Sequence, residues 1–348
     1  MNLALTEQIA KAVLYEGYML YPYRPSSVKN QQRWNFGVLY PPAYSLQQSG
    51  SDTFKLETEC LLETRADTRL EIRLRFLQLV QRSIGLLKTP VAELATGAMP
   101  EVQIVDALSV NGKLLQSWQE AIEREVIVPV ADLQSASSVH EFSFSFENQT
   151  EPVRDERGAI TALVLRHGER LTGKVSLATL PLREGVTKLS LVVENDVAFD
   201  GASREQALLS SMASAHVVLG VERGDFVSLL EPPASLREEA LRCQNKGVWP
   251  VLVGAQGQRD TLLVSPIILY DYPQIAPESA GDLFDGTEID EILSLRIMTL
   301  TDEEKREMRQ SDERARQILE RTESLPEEQF MKLHGVLRGL RPVKEDRP

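Results

Sequence analysis

Metal ligation and nucleophilic attack call for histidine and cysteine, and the four histidines and two cysteines of this chain are scattered singly along it. His140, His167, His216 and His334 have no second His or Cys at ligand spacing. His140 alternates with Phe142, Phe144 and Phe146, so it reads as a core or rim residue on the apolar face of a strand. His167 precedes Gly168 in a turn and His334 sits on a C-terminal helix; both read as solvated. Cys60 alternates with Leu56 and Leu62 and reads as a small core residue. Cys243 falls on a short helix and is expected to be partly exposed. The two thiols can pair, but they make no disulfide framework, and their number fits a reducing cytoplasm.

Phosphate-binding glycine loops, nucleophile elbows and zinc-protease helices are missing from the sequence. The acids Asp282, Asp285, Glu288, Asp290 and Glu291 do not follow the order of a calcium loop. They read as a solvated linker with favourable negative charge at a helix N-terminus. The expectation is therefore no cofactor, no metal and no assigned catalytic residue.

One stretch departs from the rest. Residues 17 to 51 hold no Asp or Glu, in a chain with 51 acids and a formal net charge of −13. With its immediate approach, this island also carries six of the eight tyrosines. Tyr21, Tyr23, Arg24, Lys29, Arg33 and Trp34 form a basic, aromatic, proline-stiffened set to which an acidic partner or an anion would be drawn. Guanidinium, ammonium, hydroxyl and amide donors together suit a carboxylate or phosphate. The alternative is that the aromatics pack with the prolines over a core edge while the cations pair with the protein's own carboxylates. General nucleic-acid binding is not expected, because the acids exceed the 38 Lys and Arg residues.

The elements that must position these residues are mostly strands. FKLETECLL (residues 54–62) places Phe54, Leu56, Thr58, Cys60 and Leu62 on one face, and RLEIRLRF (69–76) does the same with Leu70, Ile72, Leu74 and Phe76. Arg33 to Tyr40 reads as a strand, and Trp118 to Arg124 as a short helix before the strand EVIVPV. Asn111-Gly112 signals a tight hairpin. Short alternating segments recur from VHEFSFSF to KLSLVVEN, with turns at Gly158, Gly168 and Gly185, and continue in HVVLGV, FVSLL, VWPVLVG and TLLVSPIILYDY. Helices are expected after Thr6 as far as Gly17, near Arg204 to Met212, and from a Ser235–Glu238 capping box to Gly247.

The composition turns to Ser, Ala and Gln around 131–138, which places a domain boundary there. The expected organisation is α+β, mainly antiparallel β. An N-terminal β-rich domain (1–135) precedes an antiparallel, sandwich-like or open-barrel domain (136–275), and a helical segment follows (285–341). In that tail, residues 302 to 323 carry eight acids and six bases and read as one charged helix between helices with apolar stripes. These helices either dock on the β body or reach toward a partner. No run of about 18 apolar residues exists to span a membrane, and the N-terminus has no signal-peptide pattern.

Two segments, VLYEGYMLYPYRPSSVKNQQRWNFGVL and EIDEILSLRIMTLTDEEKREMRQSDERARQILERTESL, resemble a family of bacterial proteins encoded beside the structural and accessory genes of nickel–iron hydrogenases, for which no catalytic motif is defined. The resemblance implies an accessory or assembly protein that binds a protein partner, such as a hydrogenase subunit or accessory protein, in the cytoplasm. A small-ligand binder or enzyme acting on an anionic substrate at the island is the alternative.

Overall fold

The computed structural model describes residues 3–15, 36–48, 52–94, 99–130, 133, 137–274 and, beyond these, 300–302 with scattered positions up to 324. Thirteen strands are described: β1 Lys55–Val91, β2 Val102–Val105, β3 Ala107–Val110, β4 Lys113–Gln116, β5 Trp118–Val130, β6 Ser137–Phe144, β7 Gln149–Arg154, β8 Ile160–His167, β9 Leu171–Arg183, β10 Val186–Asn195, β11 Met212–Phe226, β12 Trp249–Leu252 and β13 Thr261–Ser265. Four helices accompany them: α1 Leu3–Tyr15, α2 Pro42–Gln47, α3 Arg204–Leu209 and α4 Arg237–Leu241. Strand accounts for 54% of the described residues and helix for 15%, so the protein is α+β and mainly antiparallel β.

The two N-terminal strands expected at 54–62 and 69–76 are one. β1 runs unbroken for 37 residues and is the spine of an 11-stranded sheet. Along one edge it pairs in turn with β10, β5 and β2; along the other it pairs with β11 and then β8. The path β12-β13-β11-β1-β10-β9-β6 crosses it, and β7 joins through β8. The sheet spans the boundary expected near residue 135, since β1 bonds to strands on both sides of it. The sheet stays open. β5 and β6 approach where the Arg124 guanidinium donates to the Ser145 carbonyl at 3.4 Å and stacks 5.1 Å from the Phe144 ring.

The alternation read from the sequence sets which face is buried. Leu56, Cys60, Leu62, Leu70, Ile72, Leu74 and Phe76 all point into the main core. There they meet Leu171, Val175 and Leu177 of β9, Leu189, Leu191 and Val193 of β10, and the inward residues of β11 and β13. On the opposite face of β11–β13, α1 buries Ile9, Ala10 and Val13 against Val218, Val251 and Leu263. α1 begins at Leu3, ahead of the expected cap Thr6, which is buried.

Several local expectations meet tertiary competition. Trp118 to Arg124 is strand: residues 118–130 pair one for one with Leu70–Arg82 of β1, and that ladder overrides the helical leaning of QEAIER. Of the strand expected at Arg33–Tyr40, residues 33–35 lie outside the described residues and only Leu39 makes bridges, because Gly37 turns at φ +56. FVSLL leaves the sheet after Phe226. The Ser235–Glu238 capping box does not form. A 3-10 turn at Ala234–Leu236 leads into α4, which has no side-chain cap and ends well before Gly247. A capping box does form at Ser203 with Gln206, at the start of α3. The Asn111-Gly112 turn joins β3 and β4 with both residues at positive φ, as a type I′ hairpin requires. Beyond residue 300, Lys305 and Arg309 both pair with Glu323. The rest of the helix expected at 302–323 lies largely outside the described residues.

His216 is fully buried on β11. Its Nδ1–H donates to the Ser214 carbonyl at 2.9 Å, its Nε2 has no partner among the described residues, and Ser214 itself sits at φ +52 beside a register shift. Burial, seconded by the nearby Arg75 charge, lowers its pKa from 6.5 to about 4. The unfolded chain therefore takes up this proton near pH 6.5 and the native chain only near pH 4. Stability is full above pH 6.5 and falls as pH drops through that window, by about 3 kcal/mol in all from this group. His216→Leu is expected to remove that slope, read as the difference in urea-unfolding free energy between pH 7 and pH 4.5 for the variant and the native protein. Phe76 is also fully buried, with ring centroids 5.7 Å from Phe144 and 6.1 Å from Phe142. Phe76→Ala is expected to cost about 3–5 kcal/mol in the same assay at pH 7.

Candidate functional site

Segment 37–40 is stitched between two parts of the sheet, and a cleft opens beside it. Leu39 exchanges backbone hydrogen bonds with Met212 at the head of β11 (3.0 and 3.1 Å), Tyr40 N–H donates to Thr53 O (2.8 Å), and Ala215 N–H donates to Gly37 O (2.8 Å). Buried Asn195 holds the arrangement from below, donating to Leu39 O at 2.8 Å and Ser210 O at 2.9 Å. Only glycine fits at 37: its φ is +56, and a Cβ would lie 2.7 Å from Pro266.

A second device places the opposite wall. Residues 55–61 of β1 carry β10 on one edge, and on the other a loop stands in for a strand. The Asn245 side chain accepts from Glu59 N–H at 3.1 Å and donates to Glu59 O at 3.3 Å, as a neighbouring strand's backbone would. Thr58 Oγ1 adds a 2.6 Å hydrogen bond to Asn245 Oδ1, and Lys246 N–H donates to Glu57 O at 3.2 Å. Gly247, at φ +67, then turns the chain toward Trp249 of β12.

Between these walls lies a cavity of about 330 Å³, bounded by residues 36–40, Asp52, Thr53, Lys55, Leu56, Arg204, Ala215, residues 246–249 and Pro266. Three cations meet there. Lys55 Nζ donates to Glu57 Oε1 at 3.0 Å, and Lys246 Nζ to Glu57 Oε2 at 2.9 Å. Glu57 is held below the usual carboxylate range, chiefly by the Lys246 hydrogen bond. The third cation, Arg204, begins α3 and lies 5.9 Å from the Tyr40 ring centroid. Tyr40 and Tyr44 stack at 5.1 Å and are buried, which raises both phenol pKa values; the Asp52 charge adds to this at Tyr44, whereas Arg204 opposes it at Tyr40. Phe36 and Trp249 are the large apolar residues left partly open at the cleft, 40% and 36% exposed.

Tyr21, Tyr23, Arg24, Lys29, Arg33 and Trp34 lie outside the described residues, as do most of the tail helices. Phe36, the first described residue after the island set, stands on the wall of the cleft. Of the tyrosines counted with the island, Tyr40 and Tyr44 are in the core beside α3. The cations of the cleft were not singled out by sequence, because Lys55, Arg204 and Lys246 are each one charge among many and the chain brings them together from 191 residues apart (55 to 246). The one local signal was Lys246-Gly247 standing just ahead of Trp249.

The remaining candidates take structural roles. His140 shares the face of Phe142 and Phe144 but is exposed, a rim rather than a core position, because β6 is the last strand of the sheet path. His167 is exposed and held by Asn148 and Glu169, at 3.0 Å each. Cys60 faces the main core, while Cys243 packs on the other face of β1 against the Leu61 cluster. Burial raises both thiol pKa values, that of Cys243 to about 11, which disfavours thiolate chemistry. Among the described residues, no group of three or more His, Cys, Asp or Glu is placed to hold a metal, and no helix is long and apolar enough to cross a membrane.

No family model matches the chain, and no curated protein matches it. Among solved structures, it shows a likeness to the secretin InvG of the Salmonella SPI-1 type III secretion injectisome in its open gate state. The identity is 10% and the TM-score 0.15, over 52% of this chain and 48% of that one. The chain thus spans about half the length of that secretin chain, and a likeness at this level carries no argument about fold or function.

Proposed function

We propose that the protein is a non-catalytic accessory or assembly factor that binds an acidic segment of a protein partner at the cleft between residues 36–40 and 246–249. The observation that supports this most is the meeting of Lys55, Arg204 and Lys246 with Phe36 and Trp249, in a protein of net charge −13. An acidic segment is repelled by most of this surface and attracted here, and half-exposed aromatic rings beside cations are the composition of interface hot spots. The basic, aromatic island leads directly into the cleft in sequence, so both would serve one partner. The resemblance of the two terminal segments favours a subunit or accessory protein of a nickel–iron hydrogenase as that partner, in the cytoplasm.

Lys55→Glu combined with Lys246→Glu reverses the charge of one wall. Affinity capture from the native host at 50 mM and at 300 mM salt is expected to recover a reproducible partner with the native protein, more weakly at high salt, and to lose it with the double variant. Far-UV circular dichroism checks that the variant keeps its sheet. Equal capture by both proteins would overturn the assignment of binding to this cleft.

A further inference from the structure

Glu57 already shows how the cleft's lysines hold a carboxylate: one oxygen on Lys55, the other on Lys246, both near 3 Å. Each ammonium has three donors and Glu57 uses one of each, so both keep donors for a second acceptor. Both remain reachable from solvent, Lys246 with 70% and Lys55 with 36% of its side chain exposed. Two ammoniums against one carboxylate leave a charge of +1 at this wall. Phe36 and Trp249 offer apolar area to whatever the second acceptor is attached to. The volume stands at the low end of the range for ligand sites, about 300–1,000 Å³, which suits one small acid or one chain end rather than a long peptide.

We propose that the cleft is a binding site for a carboxylate that carries an apolar group, and that Glu57 is a built-in competitor which shares the lysine pair and sets the site's affinity. This rests on the reading of the cleft as an anion-binding surface and narrows the ligand to one chemistry, supplied by a free acid or by the C-terminus of a protein chain. Glu57 keeps the lysines positioned when the site is empty and weakens their hold on a ligand when it is full. Removing its charge therefore improves binding, which a merely structural ion pair would not do.

The test uses the full chain and three probes in isothermal titration: N-acetyl-phenylalanine, its amide and acetate. N-acetyl-phenylalanine is expected to saturate the site, with the amide and acetate each weaker by about tenfold or more. Glu57→Gln is expected to tighten binding about fivefold and Lys246→Met to weaken it about fivefold, as for a partly exposed charge pair. A peptide ending in phenylalanine with a free carboxylate that binds more tightly than N-acetyl-phenylalanine identifies a chain end as the source; equal binding identifies a free acid. Equal affinity for acid and amide, or a Glu57→Gln variant that binds no better than the native protein, would overturn the proposal. The probes are small molecules, so failure of partner capture with these responses intact would count against the accessory role alone.

Discussion

A strand of 37 residues carries backbone donors and acceptors on two edges over a contour of about 120 Å, and every buried one needs a partner. Ordinary strands run to about ten residues at most because few sheets can supply that much edge. Here five strands share the task, two on one edge and three on the other, with staggered ends. The staggering ties the chain together. β10 meets the first third of β1, β5 and β11 the middle, and β2 and β8 the last, so early and late parts of the chain are held by a single element.

Such a strand must also bend to enclose a core. Register shifts such as the one between Thr64 and Arg69 are the irregularities that let a strand do so. Thr68 turns inward, accepts from Arg65 N–H at 2.7 Å and donates to Arg223 O at 2.6 Å, closing the gap that the irregularity leaves in the ladder. The neighbouring Gly224 leaves room for this: a Cβ there would lie 3.0 Å from both Glu63 O and the Thr68 methyl. Where β1 runs out of strand partners on one edge, the Asn245 amide replaces one. That substitution carries Lys246 to the cleft, so the cationic wall follows from satisfying the edge of the spine.

Legibility in the sequence followed the range of the interaction. Period-two alternation put the correct faces of residues 54–62 and 69–76 in the core, and Asn111-Gly112 gave its hairpin, since both signals are complete within a few residues. The stretch 118–124 misled because its composition favours a helix in isolation, and only the distant ladder to β1 makes it strand. Ser235 and Glu238 have the right spacing for a cap, but the preceding prolines set a 3-10 turn that leaves the cap unused, while the box at Ser203–Gln206 was no less readable. His140 followed its face correctly but not its exposure, because alternation says which way a side chain points and nothing about whether another layer covers it.

The sequence by itself determined the class of the fold, the inward face of its main strand, and a surface whose charge would turn most anions away. It also marked residues 17–51 as chemically distinct. Only the tertiary structure decided that two apparent strands are one spine, that the sheet runs across residue 135, and that Lys55, Arg204 and Lys246 share a cleft with Phe36 and Trp249. The reason is that pairing partners and charge clusters are made by chain segments up to 191 residues apart (55 to 246), and no local pattern carries the geometry that brings them together.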